Sequence, residues 1–207
     1  MSPPGNLYIS TVVRVRPADP PAPTLALVAA VALHDVLLTL IRHPRESGGP
    51  AALADEGKRG PRLRGDDHVV IKWPNDILVG GAKLAGILLE RSGEAVVIGF
   101  GANLAHHPHD LDRPVTSIAA LTGSAPAPGD VAGQLASVFA TWLSRWRQDG
   151  VEPIRQAWLA AAHPVGTKLS TPEGEGIFAG VDESGALRLK LSEGSIRLVH
   201  AGDVFLL

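Results

Sequence analysis

The 207-residue chain contains no cysteine. That excludes a disulfide framework, a zinc–thiolate site and a cysteine nucleophile. It also lacks an excess of either charge. Its 19 Lys+Arg stand against 21 Asp+Glu, a formal net charge of −2, so a surface built to hold nucleic acid is not expected. Charged residues are only 19% and hydrophobic ones 45%, which excludes a globally disordered chain. No basic stretch precedes an apolar run at the N-terminus, so no signal peptide is read there. The longest apolar run, residues 25–33, falls short of the roughly 18–20 residues that cross a bilayer. The expectation is a soluble, cytoplasmic protein with no membrane partner, made of one large domain and a small one.

What is present divides the chain into three stretches. Residues 6–16 (NLYISTVVRVR) are rich in β-branched types and partly alternate, which predicts a strand. Pro17, Pro20, Pro21 and Pro23 end it, and Thr24 is the expected cap of a helix over 25–41. That helix is apolar nearly all round and should lie buried against a sheet. Residues 42–67 differ from their surroundings, with six Arg/Lys, five Asp/Glu, five Gly and three Pro. Their charges are interleaved and no aromatic is present to stack on a base, so a solvated insertion is the plainer reading than a nucleic-acid loop. The segment resembles translated copies of a dispersed bacterial repeat, and long surface loops add little closure entropy.

Strand signals then crowd together over 68–73, 76–79, 83–91 and 95–100, joined by connections too short for parallel crossovers. An antiparallel meander is expected. A loop with His106, His107 and His109 follows, then amphipathic helices over 130–148 and 152–162. From residue 164 short alternating strands are broken by Pro-Glu-Gly, Glu-Ser-Gly and Glu-Gly. This reads as a small β barrel that needs a larger neighbour for stability. The fold class is therefore α+β: a mixed or antiparallel sheet with packed helices over 1–163, and a β barrel over 164–207.

The chemistry sits in the meander. Lys72-Trp73-Pro74-Asn75-Asp76 comes first, then Lys83-Leu84-Ala85-Gly86-Ile87-Leu88, then Gly99-Phe100-Gly101-Ala102-Asn103. Simple alternation puts Lys83, Ala85 and Ile87 on one face, and Leu84, Gly86 and Leu88 on the other. Lys83 beside small residues suits an elongated anionic ligand, and Gly86 lets that ligand approach the backbone. Asn75, Asp76 and Asn103 can orient polar ligand groups or hold Mg²⁺ through oxygen. Plainer alternatives stand beside each. Lys72 alone reads as a solvent-facing lysine, Asn75-Asp76 as turn chemistry after Pro74, and Gly86 as a packing glycine. The Gly99-Phe100-Gly101 run lacks the third glycine of a dinucleotide fingerprint. The histidines have metal-like density but no partner cluster. Trp73, Trp142, Trp146 and Trp158 read as core rather than as cofactor stackers.

Taken together, KWPNDI, KLAGIL and GFGANL at this spacing resemble the biotin protein ligases. The opening SPPGNLYIS and the terminal barrel fit the same family. The resemblance implies a class II synthetase-like catalytic domain with an SH3-like cap. It also implies a two-step reaction. Biotin attacks the α-phosphate of ATP to form biotinyl-5′-AMP and pyrophosphate, and a lysine of a biotin carboxyl carrier protein then attacks the mixed anhydride. Carried over by motif, Lys83 is central between the biotin carboxylate and the α-phosphate, and Asp76 is the candidate to help deprotonate the incoming lysine. Lys72, Trp73, Asn75, Gly86 and Asn103 are binding residues, with Asn103 a candidate contact to Mg²⁺.

Two departures from the family pattern stand out. The Gly/Arg-rich loop is absent, as though the chain entered the fold in mid-loop from a misassigned start, and the insertion at 42–67 is added. Weak retention of the adenylate is the expectation. A catalytically impaired remnant that keeps the fold as a biotin or nucleotide module is the alternative. The related lipoate ligases fit the motif pairing less well. Operator binding is not expected, and a monomer or homodimer is equally compatible with the sequence.

Overall fold

The structure is a computed structural model that describes residues 4–42, 68–108 and 111–207. The expected insertion, beyond Arg42, and His109 lie outside the described residues. The first sheet has five strands: β1 (Leu7–Arg14), β2 (Val69–Lys72), β3 (Asp76–Val79), β4 (Ala82–Ser92) and β5 (Ala95–Ala102). Their order is β1-β5-β4-β3-β2, antiparallel throughout. The predicted meander is therefore β2 to β5, and β1 closes on β5 from Leu7↔Ala102 to Arg14↔Ala95.

Period-two sequence makes this sheet two-sided. On β5, Val96, Ile98, Phe100 and Ala102 are buried while the residues between them are partly open. The buried face is covered by α1 (Leu25–Arg42), α3 (Pro128–Asp149) and α4 (Glu152–Ala161). Phe100 meets Phe139 of α3 edge-to-face, with ring centroids 5.8 Å apart. The helix α1 is long and apolar enough to cross a membrane by length and composition, yet most of it is buried inside the protein. Its Ala-rich, all-round apolar surface is what a helix enclosed by other elements requires.

Thr24 does not cap α1. It closes a short 3₁₀ turn, donating from Oγ1 to the Pro21 carbonyl at 2.6 Å. Its hydroxyl is fully buried and also accepts from the Trp146 indole at 2.8 Å. With four prolines nearby, the chain turns into the helix through that tertiary bond instead of a local cap. The loop after β5 hides one further element, the single-turn helix α2 (Ile118–Thr122), capped by Ser117 Oγ accepting from the Ala120 amide.

A second five-stranded antiparallel sheet holds β6 (Lys168–Thr171), β7 (Gly174–Val181), β8 (Leu187–Lys190), β9 (Ile196–Val199) and β10 (Phe205–Leu206), in the order β10-β6-β7-β8-β9. Phe178, Leu187, Leu189 and Val199 fill its interior. It docks on the larger layer through specific contacts. Trp158 of α4 lies 6.3 Å from Phe178, and the Trp73 indole donates to the Gly185 carbonyl at 3.0 Å. Lys72 Nζ sits 5.6 Å from the Phe205 ring centroid.

A narrow apolar cavity at this joint contains two buried polar atoms without a hydrogen-bond partner, Trp158 Nε1 and His163 Nε2. Burial, and then the positive charge of Lys72, push the His163 imidazole below its ordinary value of 6.5. A histidine kept neutral in the fold contributes stability that is full above about 6.5 and is lost as the pH falls from there through the depressed folded value. Thermal melts between neutral and mildly acidic pH should show a downward slope. His163→Gln should flatten that slope while leaving the neutral-pH melt nearly in place. An unchanged slope in the variant would remove His163 as its origin.

Candidate functional site

The open face of the first sheet carries the site. Cross-strand register aligns Tyr8, Gly101, Gly86 and Asp76 in one row, and Ser10, Gly99 and Leu88 in the next. Three glycines therefore occupy neighbouring positions on β4 and β5. Their missing side chains leave an open groove of about 500 Å³ lined by Tyr8, Ser10, Asn75, Lys83, Gly86 and Leu88, among others. That is the size of a small-molecule site. A Cβ built at Gly101 would meet only the Tyr8 ring and the Gly86 carbonyl at 3.9 Å, so packing does not require that glycine. The open space itself is the better account of the glycine.

Simple alternation misplaced Lys83. The β3–β4 ladder pairs Ile77 with Ala85 but Leu78 with Lys83, so Leu84 is an extra, bulged residue. Leu84 and Ala85 are consecutive and both buried. The bulge reverses the alternation, as bulges do. Lys83 thus joins Gly86 and Leu88 on the groove face instead of sharing a face with Ala85 and Ile87. Its backbone is held from outside the sheet: the Lys83 amide donates to the Pro114 carbonyl, and its carbonyl accepts from the Thr116 amide, both at 2.9 Å.

The Lys83 ammonium forms an ion pair with Asp76 Oδ1 across Gly86. The Asp76 side chain is 10% exposed and Lys83 22%, so water screens this pair only in part. A second cation approaches the same carboxylate: Arg113 Nη1 lies 3.8 Å from Asp76 Oδ2, on a side chain 58% exposed. One carboxylate faces two cations, which leaves the cluster net positive. An anion placed beside Lys83 would complete it.

The asparagines build the frame. Asn75 bridges to β4, its Nδ2 donating to the Ile87 carbonyl at 2.8 Å while its own carbonyl accepts from the Ile87 amide at 2.9 Å. Asn103 Nδ2 donates to the Thr116 carbonyl at 3.0 Å, tying the end of β5 to the segment that pins Lys83. Asn6, which sequence reading passed over, accepts from three successive amides, Leu104, Ala105 and His106, through one carbonyl oxygen. His107 Nδ1 lies 3.0 Å from Ser117 Oγ. Among the described residues there is no group of three or more His, Asp or Glu placed to hold a metal ion.

The structure thus brings Lys83, Asp76, Asn75 and Gly86 together. It does not bring Lys72, Trp73 or Asn103 to the groove lining. Lys72 and Trp73 face the second sheet, and Asn103 braces the loop behind Lys83. Arg113, Gly99, Gly101 and Tyr8 are additions. The paired glycines two apart in a strand were the available signal for a cleared face; a lone arginine in a loop offered none.

Residues 1–103 match the Biotin/lipoate A/B protein ligase family and residues 167–207 the Biotin protein ligase C terminal domain. The chain is similar to a biotin--[acetyl-CoA-carboxylase] ligase of Paracoccus denitrificans, 37% identical over 98% of this chain and 81% of that one. A bifunctional ligase/repressor of Bacillus subtilis is 34% identical over 65% of this chain and 45% of its own length. The fold matches a biotin protein ligase from Aquifex aeolicus, with a TM-score of 0.77, 18% identity, and coverage of 98% and 83%. The same protein in complex with biotin and ATP matches with a TM-score of 0.74 at 19% identity.

A Cβ at Gly86 would lie 3.1 Å from Lys83 Nζ and 3.2 Å from its Cε. Gly86→Ala is therefore expected to fold, since the end of a flexible side chain can yield, but to displace the ammonium from its place over the groove. Small-ligand binding in the groove should fall sharply while the melting temperature moves by no more than a few degrees, the scale of about 1 kcal/mol. Unaltered ligand affinity would show that the ligand does not cross Gly86.

Proposed function

The chain belongs to the biotin protein ligases, and from that premise we propose that it attaches biotin to a lysine of a biotin carboxyl carrier protein at the expense of ATP, through biotinyl-5′-AMP. The observation that carries this reading is the Lys83–Asp76 pair at the edge of a glycine-cleared groove. A groove floored by Gly86, Gly99 and Gly101 takes an elongated, mostly apolar ligand. Its charged end then lies at Lys83.

Adenylation brings two anions together, the biotin carboxylate and the α-phosphate. The Lys83 ammonium offsets their repulsion and the charge that builds on the phosphate in the transition state. Because the bulge and residues 114–116 fix its backbone, this charge is positioned before the ligand arrives. Asp76 holds the ammonium over the groove. In this reading, once the anhydride has formed, the same carboxylate assists deprotonation of the incoming carrier lysine. Asn75 lines the groove beside it and orients a polar ligand group.

The donor set around Asp76 does not form a metal cage, since that carboxylate already faces two cations. Mg²⁺ is therefore proposed to arrive as MgATP, while Asn103, bonded to Thr116 and outside the groove lining, serves the frame in this reading. Lys72 and Trp73 act in this reading by joining the second domain to the site. The reaction needs neither nucleic acid nor a membrane, and we place it in the cytoplasm, in a monomer or homodimer.

Biotin-dependent release of pyrophosphate from MgATP tests the assignment. Lys83→Ala should lower that rate by at least ~100-fold, the scale of losing one transition-state charge contact. Transfer of label to a carrier domain should fall with it. A wild-type rate in the variant would remove Lys83 from the reaction.

A further inference from the structure

We propose that Arg113 is a second phosphate-binding cation of this site, one that leaves Asp76 to hold the polyphosphate of the nucleotide. This rests on the ligase reading above. Three observations place Arg113 in that role.

Its position is built. Pro114, next in the chain, receives the Lys83 amide, and Thr116 donates to the Lys83 carbonyl, so the backbone beside Arg113 runs against Lys83. The Asn103 side chain holds the same segment at Thr116, and Ser117 then caps α2. Arg113 therefore enters the site from a fixed pivot on the open side of the sheet.

Its charge is only loosely engaged. At 3.8 Å from Asp76 Oδ2 the guanidinium is beyond hydrogen-bond length, and 58% of the side chain is exposed. Lys83, by contrast, is held tightly on the other oxygen of the same carboxylate. Such a loose, exposed pair contributes little to stability and is easily exchanged for a better anion. A guanidinium also presents paired donors that match phosphate oxygens, whereas an ammonium is a point charge.

Its charge is also needed. With Asp76 offset by Lys83, the cluster has one surplus positive charge, and Arg113 carries it. Lys72, the other cation that the sequence offered for this task, lies over Phe205 at the joint with the second sheet. Among the described residues, Arg113 is the arginine that pairs with Asp76.

Titration of ATP as its magnesium complex, in the α,β-methylene form that cannot release pyrophosphate, into the full chain at saturating biotin tests the proposal. Arg113→Ala should raise the ATP dissociation constant about tenfold or more, the scale of a charge-assisted contact. Arg113→Lys should recover part of the loss. Affinity for biotin alone and the melting temperature should stay at wild-type values, and added salt should weaken ATP binding less in Arg113→Ala than in wild type. Equal ATP affinity in wild type and Arg113→Ala, with biotin bound by both, would overturn the role of Arg113 and leave the ligase reading intact. Equal losses for ATP and biotin would also overturn it, because they indicate a structural defect. If the wild-type chain bound neither ligand, the ligase reading would fall and this assignment with it.

Discussion

Everything about the site depends on one extra residue in a strand. Leu84 is bulged out of the β3–β4 ladder, and the alternation of side chains reverses there. Without the reversal, Lys83 would point toward the helices with Ala85 and Ile87, where a lone ammonium would be costly. With it, Lys83 crosses Gly86 and meets Asp76 on the open face. Lys83 keeps its place opposite Leu78 on β3, and on its other edge, where β5 has ended at Ala102, residues 114–116 bond its backbone. The ion pair on the groove face is thus a consequence of a single change in register.

The two faces of the sheet divide the work. On β5, Val96, Ile98, Phe100 and Ala102 bury into α1 and α3, while Gly99 and Gly101 lie on the other side. The first set stabilises the layer through apolar burial and the Phe100–Phe139 contact. The second set contributes nothing to packing, which is why the groove exists. A sheet anchored so firmly from behind can leave its front face open with Tyr8, Val12 and Leu88 exposed. Exposed apolar side chains beside a polar cluster are what an amphipathic ligand needs.

The elements were legible because local pattern determined them. Alternation in residues 95–100, the apolar helix at 25–41 and the short turns of the meander each predict a structure that forms. The carrying motifs also brought Lys83, Asp76, Asn75 and Gly86 to one place. The sequence did not reveal which way Lys83 points, because a bulge leaves no mark in a run such as KLAGIL. It did not reveal Arg113 either, since that residue reaches Asp76 only through the fixing of Pro114 and Thr116 on Lys83. Thr24 failed as a cap for the same reason: Trp146, more than a hundred residues away, competes for its hydroxyl. Local rules lose where a long-range partner offers the stronger bond.

One short connection ties the second domain to the chemistry. Between β2 and β3, Lys72 lies over Phe205, Trp73 donates to Gly185, Asn75 grips Ile87 and Asp76 holds Lys83. The first two of these residues thus serve the domain joint and the last two the Lys83–Asp76 cluster, and the Trp73–Pro74 peptide bond between them is cis. A connection so fully bonded has little freedom to move at one end alone. Displacing the barrel would pull on Trp73, and through two residues on Asp76. The barrel therefore acts on the site without touching the groove: by fixing Trp73, it fixes the carboxylate that places the lysine.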